Sequence, residues 1–277
     1  MGIENIGNNL KPAEKVPQRL WLANEVNLKM IVKDVKVSGK ENLEAIPKDA
    51  KVVIMTTHMT DFDIPVAIHT LAKDLNIVVM NESVHHKFWG PQGEIPTNIG
   101  LHIAGKKNFI PLDFKKDDTG KKSPKAFNPD NFKPAEKALE EGKAVMIAAH
   151  NPSQKPVKNL DDIEGGYGGA YLALLTDAYI LPTTVVLDQV KGMYEPGLQI
   201  AKNLIGKPNA SVGIGKPFKL EKVPGIERFS ELMEKRKKGT ILTSEEHEEF
   251  SKLADILREK SKEVMQKLSE QLVKQEQ

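Results

Sequence analysis

Short apolar runs alternate with stretches of helical periodicity through the first two thirds of the chain. The runs are rich in β-branched residues, which is typical of strands in a parallel sheet, and they lie at residues 35–39, 50–58, 76–80, 108–114, 143–150 and 179–187. Helices are predicted between them at residues 63–75, 134–142 and 168–178. Strands that alternate with helices in this way indicate an α/β fold with a largely parallel, mixed central sheet flanked by helices.

The two ends of the chain follow a different pattern. Apolar residues recur at helical spacing from Pro12 to about Lys33, so we predict an N-terminal helix that packs on the core or lies at a lipid surface. From about Glu227 the chain is highly charged and helical, and Thr243 with Glu246 forms a capping-box pattern before a long amphipathic helix. These patterns divide the chain into an N-terminal tail and helix, an α/β domain and a C-terminal helical extension, at residues 1–34, 35–225 and 226–277.

Composition narrows the classes of function. The 277 residues are 39% apolar and 28% charged, which is ordinary for a soluble globular protein, and a net charge of +2 gives no field that would favour nucleic acid. The absence of cysteine excludes disulfides, thiolate metal sites and a cysteine nucleophile. No apolar run approaches the roughly 20 residues of a membrane span, and the N-terminus has no apolar signal segment. We therefore expect a cytoplasmic protein, with peripheral contact at the inner face of the membrane as an open alternative.

One polar stretch, TTHMTDFDI, interrupts this apolar pattern between a predicted strand and a predicted helix. Ligand sites of parallel sheets cluster at the carboxyl ends of strands, which is where His58 lies. A neutral histidine can take a proton from a hydroxyl that attacks a carbonyl, and a carboxylate such as Asp63 can fix its tautomer. The spacing alone is a weak signal, because Asp63 also suits a helix N-cap and His58 a simple turn. Asp61 is interpreted as a solvent-facing or capping residue.

A lysine-rich segment and two adjacent histidines were the other candidates for chemistry. Residues 105–125 contain seven lysines and three acids, which is typical of a solvated loop but also of a site for phosphates or anionic lipid. His85 and His86 are neighbours in sequence and seldom face one metal ion, and no third ligand has a suitable spacing. We therefore predict no metal and no bound cofactor.

Several blocks of sequence occur in an order that resembles a known family. The segment VKVSGKENLEAIPKDAKVVIMTTH is similar to a "V-x-G-x-E-N-L" segment followed by an apolar strand, and TTHMTDFDI contains a His-x4-Asp block with Thr57 and Thr60 in place of the usual Asn and Ser. GKKNFIPLDFKK and GGYGGAYLALLTDAYILPTTVV resemble two further blocks, the second with Pro182 at its centre. From about Val35 to Leu187 the chain resembles the glycerolipid acyltransferase superfamily, which includes the lysophosphatidic acid acyltransferases.

The resemblance implies an O-acyltransferase. Its donor would be an acyl thioester, acyl-CoA or acyl carrier protein, and its acceptor a hydroxyl, as in a lysophospholipid or related glycerolipid. The implied catalytic residues are His58 as general base and Asp63 as the residue that orients it. The implied substrate-binding residues are Thr60, Lys106, Lys107, Phe109, Lys115, Lys116, His150 and Asn151.

Two blocks differ from the family pattern in the region that binds the acceptor. The second block usually ends in arginine, where this chain has Leu112 or Phe114 followed by lysines. The third block is usually F-P-E-G-T-R-S, whereas here VMIAAHNPSQK lacks both the acidic residue and the arginine. Two alternatives therefore stay open: a non-catalytic protein that binds lipid or acyl thioester, and a thioesterase.

Overall fold

The computed structural model describes residues 32–60, 62–81, 108–112, 129–150, 160, 163–188 and 206–276. Seven strands lie in this part of the chain: β1 (Val35–Ser38), β2 (Val52–Thr56), β3 (Ile77–Asn81), β4 (Phe109–Pro111), β5 (Ala144–Ala148), β6 (Tyr179–Leu187) and β7 (Ala210–Ile214). Its α-helices are α1 (Asp63–Leu71), α2 (Lys133–Glu140), α3 (Tyr167–Thr176), α4 (Ile226–Lys237) and α5 (Ser244–Glu276). Short 3₁₀ helices cover Lys40–Ala45 and Pro129–Asn131.

The strands form one sheet in the order β1-β7-β6-β2-β5-β3-β4. Every neighbouring pair is parallel except β6 with β7, which is antiparallel. The prediction of a largely parallel, mixed α/β sheet flanked by helices is therefore confirmed. The N-terminal helix predicted for residues 12–33 falls almost entirely outside the described residues, and Val32 and Lys33 are not helical.

Strand β7 was not predicted from the sequence. It is five residues long, ASVGI, and its serine and glycine leave only three apolar side chains to indicate a strand. Its stability comes from its position between β1 and β6, where Ala210, Val212 and Ile214 are buried. Strand formation here depends on pairing with distant segments, and a local pattern does not contain that information.

The central strand β2 is buried on both faces, as its β-branched run predicted. Val53 and Met55 belong to one apolar cluster, whereas Val52 and Ile54 belong to another on the opposite side of the sheet. Alternation of side chains along a strand explains this division. Helix α1 covers the second cluster, and helices α2, α3, α4 and α5 cover the first, so the sheet is the middle layer of three.

The C-terminal helices pack on the face of the sheet that carries the first apolar cluster. Helix α5 contacts α3, β6 and β7, and its apolar stripe joins the first cluster through Leu253, Leu257, Val264, Met265, Leu268 and Leu272.

The predicted capping box at the start of α5 is confirmed: the Thr243 N–H donates to Glu246 Oε2, and the Glu246 N–H donates to Thr243 Oγ1, both at 3.2 Å. Hydrogen bonds from Lys235 and then from the Thr243 N–H hold the pKa of Glu246 below its usual value.

The "V-x-G-x-E-N-L" segment ties the 3₁₀ helix after β1 to the end of β7. Gly39 has a φ of 74°, and a Cβ atom there would stand 2.0 Å from the carbonyl oxygen of Ile214. That same oxygen accepts a hydrogen bond from Asn42 Nδ2 at 2.7 Å, and Leu43 is buried beneath the turn. The glycine is required for both the backbone conformation and the close approach.

We expect Gly39→Ala to destabilise the protein by about 2 kcal/mol more than Gly142→Ala, because only the first variant adds a steric clash to the strain of a positive φ. Gly142 is a matched control, since its φ is 75° and nothing lies within 4 Å of its Cβ position. Urea unfolding of the two variants gives the difference directly. Equal losses would show that the approach to Ile214 adjusts without cost.

Candidate active site

Two histidines follow neighbouring parallel strands at the same edge of the sheet. His58 lies two residues beyond β2 and His150 two residues beyond β5. The strands pair in register, with Thr56 opposite Ala148, so the segments that follow them leave the sheet side by side. The carboxyl ends of parallel strands are where α/β folds place ligand sites. Both histidines therefore lie at the edge of the sheet where such sites occur.

The turn between β2 and α1 is built around the carboxylate of Asp63, which is fully buried. Its Oδ2 accepts hydrogen bonds from the N–H of Met59 at 2.5 Å and of Thr60 at 3.1 Å, and its Oδ1 accepts from the Thr60 hydroxyl. The Thr60 hydroxyl in turn accepts from the Phe62 N–H at 3.2 Å. This reciprocal pattern resembles a capping box, so Asp63 fixes the path of the chain directly after His58.

The same turn also contacts the ring of His58. Its Nδ1 lies 3.3 Å from the carbonyl oxygen of Thr60. A carbonyl oxygen can only accept, so a hydrogen bond here has Nδ1 as the donor, and in the neutral ring Nε2 then has the lone pair. The side chain is half-buried, which leaves it a route to solvent or substrate. The contact supplies the tautomer that a general base requires, with a backbone carbonyl as its partner.

His150 contacts the other side of the same segment. Its Nε2 accepts the backbone N–H of His58 at 3.0 Å, and its side chain is only 2% exposed. An accepting Nε2 means that this ring is neutral and protonated on Nδ1. His150 also forms a β-bridge with Gly165, and the Gly166 N–H donates to the Ala149 carbonyl at 2.8 Å. His150 therefore links the end of β2, through its ring, to the segment that precedes α3, through its backbone.

Thr57, which stands where the resembling family has Asn, anchors the segment to β6. Its N–H donates to the Thr183 carbonyl at 3.1 Å, and its hydroxyl oxygen accepts the Val185 N–H at 3.0 Å. The side chain is fully buried. The sequence indicated Thr57 only as a departure from the family pattern, and this role was not predicted. A buried hydroxyl directly after an apolar strand is a signal that could have indicated it, because such a group requires a partner.

The remaining predicted binding residues are less closely grouped or lie outside the described residues. Phe109 is half-buried on β4 and packs against the second apolar cluster. Strands β5 and β3 separate β4 from β2, a distance of about 14 Å at the usual spacing between strands. Five predicted residues fall outside the described ranges, and their roles stay predictions: Lys106, Lys107, Lys115, Lys116 and Asn151.

Two negative findings concern the part of the chain that the structure describes. There, no three His, Cys, Asp or Glu side chains come together in a group that could ligate one metal ion. Likewise, none of the helices in those ranges is both long enough and apolar enough to cross a bilayer.

No protein-family model matches the chain, and no curated protein matches it. Among solved structures, one similar chain is the 1-acyl-sn-glycerophosphate (LPA) acyltransferase PlsC from Thermotoga maritima. The TM-score is 0.45 and the identity 13%, over 81% of this chain and 78% of that chain.

Proposed function

We propose that the protein transfers an acyl group from an acyl thioester to a hydroxyl acceptor, with His58 as the general base. The observation that carries this proposal is the contact between His58 Nδ1 and the Thr60 carbonyl at the edge of the sheet, which favours the neutral tautomer with the lone pair on Nε2. The order of sequence blocks that resembles glycerolipid acyltransferases suggests the reaction class. A lysophospholipid or related glycerolipid is the acceptor that this resemblance favours.

The proposed reaction requires no nucleophilic side chain. Nε2 of His58 takes the proton of the acceptor hydroxyl while the hydroxyl oxygen forms a bond to the thioester carbonyl carbon. The tetrahedral intermediate then collapses, the carbon–sulfur bond breaks, and the departing thiolate takes the proton back from Nε2. The ester and the free thiol are the products, and the histidine returns to its starting form.

Three neighbours would act by holding His58 in place. Asp63 and Thr60 close the turn that brings the Thr60 carbonyl to Nδ1. The buried carboxylate of Asp63 would also stabilise the imidazolium formed when Nε2 accepts a proton. His150 fixes the backbone of His58 through its N–H, so we assign it a positioning role beside the acceptor.

A thiol-release assay tests the proposal. Purified protein is mixed with decanoyl-CoA or decanoyl acyl carrier protein, with and without a panel of hydroxyl acceptors that includes glycerol 3-phosphate, lysophosphatidate and monoacylglycerol. We expect free thiol to appear only when an acceptor is present, together with one equivalent of the acylated acceptor by mass spectrometry.

The alternatives give different results in the same assay. Thiol release at the same rate without any acceptor would indicate a thioesterase. Saturable binding of the thioester, with no thiol release for either donor and any acceptor of the panel, would indicate a non-catalytic binding protein.

A further inference from the structure

A cavity lies between helix α5 and the segment that leads into α3. Its volume is about 690 Å³, within the range of about 300–1,000 Å³ that is usual for ligand sites. Leu160, Ile163 and Met265 supply apolar lining, and Arg258, Ser261 and Lys262 supply polar groups. The lining residues of α5 recur at spacings of three and four, so they form one stripe along the helix.

The hydroxyl of Ser261 is the most unusual group in this cavity. Ser261 is 2% exposed, and its Oγ has no hydrogen-bond partner within the described ranges. The oxygen faces Gly165, where a Cβ atom would lie 2.4 Å from it and 2.7 Å from Met265 Cγ. A buried polar group without a partner costs roughly 1–3 kcal/mol, so its presence here points to a ligand that would satisfy it.

The charges around the cavity favour an anion. Two of the three charged residues that line it are cations, Arg258 and Lys262, and the third is Glu164. Arg258 pairs with Asp255 and Lys262 pairs with Glu259 at 2.7 Å, but both pairs are exposed at the surface. Exposed pairs contribute at most about 1 kcal/mol, so a phosphate can replace these partners readily.

The cavity also adjoins the candidate active site. Gly165 lines the cavity and forms the β-bridge to His150, whose ring accepts the backbone N–H of His58. Helix α3 begins two residues later, and its N-cap, Gly166, makes no side-chain cap. The positive end of this ten-residue helix therefore lies beside the cavity and adds to its attraction for anions.

We propose that this cavity binds the phosphate-bearing end of a substrate, with Arg258 and Lys262 on the phosphate and Ser261 as a hydrogen-bond partner within the cavity. Leu160, Ile163 and Met265 would contact the apolar part next to the phosphate. The inference deepens the proposed acyltransferase function, because either substrate of that reaction can carry phosphate: a phosphorylated lipid acceptor, or coenzyme A on the donor.

Binding of each substrate by itself tests the site. Decanoyl-CoA, decanoyl lysophosphatidate and phosphate-free monodecanoylglycerol are titrated separately, by calorimetry, into the full-length His58→Ala protein and into the same protein carrying Arg258→Gln and Lys262→Gln. We expect the two charge substitutions to lower the affinity for one of the two phosphate ligands about tenfold or more. A loss of this size corresponds to one lost charged hydrogen bond. Monodecanoylglycerol should bind equally to both proteins.

The ligand that loses affinity identifies the source of the phosphate. Lys267→Gln is the matched control, because Lys267 lies on α5, pairs with Glu270 at 3.3 Å and is not part of the cavity. The proposal would be overturned if the two substitutions left the affinity for both phosphate ligands unchanged. It would also be overturned if Lys267→Gln lowered the affinity by the same factor. Because binding is measured rather than turnover, this result is independent of whether the protein transfers acyl groups.

Ser261→Ala separates a ligand-binding role from a structural one. Since the hydroxyl has no partner within the described ranges, its removal should leave the melting temperature unchanged or raise it, while the affinity for the same phosphate ligand falls several-fold. A lowered melting temperature with unchanged affinity would show that the hydroxyl serves the fold, which contradicts its proposed contact with the ligand.

Discussion

His58→Ala is expected to lower the rate of acceptor-dependent thiol release by about a thousandfold, within the range of about 10²–10⁴ that general acid–base catalysis contributes. The variant lacks the imidazole that takes the proton of the acceptor hydroxyl, so the attacking oxygen stays a weak nucleophile. The loss should appear in kcat, with little change in the KM for the thioester, because the imidazole acts on the reacting proton.

The fold should survive this substitution, for a reason visible in the structure. The bond to His150 comes from the backbone N–H of residue 58, which alanine keeps, and the side chain it removes is only half-buried. The melting temperature is therefore expected to stay within a few degrees of the unsubstituted protein.

His247→Ala is a suitable control for the loss of a histidine. His247 lies in the first turn of α5, and it is exposed. We expect this variant to keep full activity. Near-full activity in His58→Ala, with both proteins folded, would exclude His58 as the general base.

Much of the fold followed from local patterns. Strand β6 was predicted with its observed bounds, and the helix from residue 63 and the strand after Gly142 were placed within a few residues. These elements are long or strongly apolar, so their periodicity is unambiguous. Strand β7 was missed because its alternation of small and apolar residues becomes meaningful only between β1 and β6.

The site was predicted only in part, because the key contacts depend on the order of strands. His58 and His150 are 92 residues apart, and they meet because β2 and β5 are neighbours in the sheet. No periodicity in the sequence specifies that order. The cavity on α5 was missed for a related reason: Arg258 and Lys262 have the spacing of a solvated helix face, and only the packing of the helix beside Gly165 places them together at a cavity.

The second large effect is expected from substitutions of Asp63. Two of them separate its hydrogen bonds in the turn from its negative charge. Asp63→Ala leaves the N–H groups of Met59 and Thr60 without their acceptor, together with the Thr60 hydroxyl. Each such group costs roughly 1–3 kcal/mol if it stays unsatisfied, so we expect a loss of about 3–5 kcal/mol in the free energy of unfolding. This is a large part of the usual stability of a domain, and activity should disappear with it.

Asp63→Asn keeps the shape and changes the charge. Its amide oxygen can accept both backbone N–H groups, and its NH₂ can donate to the Thr60 hydroxyl oxygen, so we expect a cost of about 1 kcal/mol in urea unfolding. The imidazolium on His58 would lose a buried negative charge. An opposite charge close to the ring is worth roughly 3 kcal/mol at an effective dielectric constant of about 20, so kcat should fall about a hundredfold. Unchanged kcat in a folded Asp63→Asn protein would restrict Asp63 to closing the turn, and the Thr60 carbonyl would then be what orients His58.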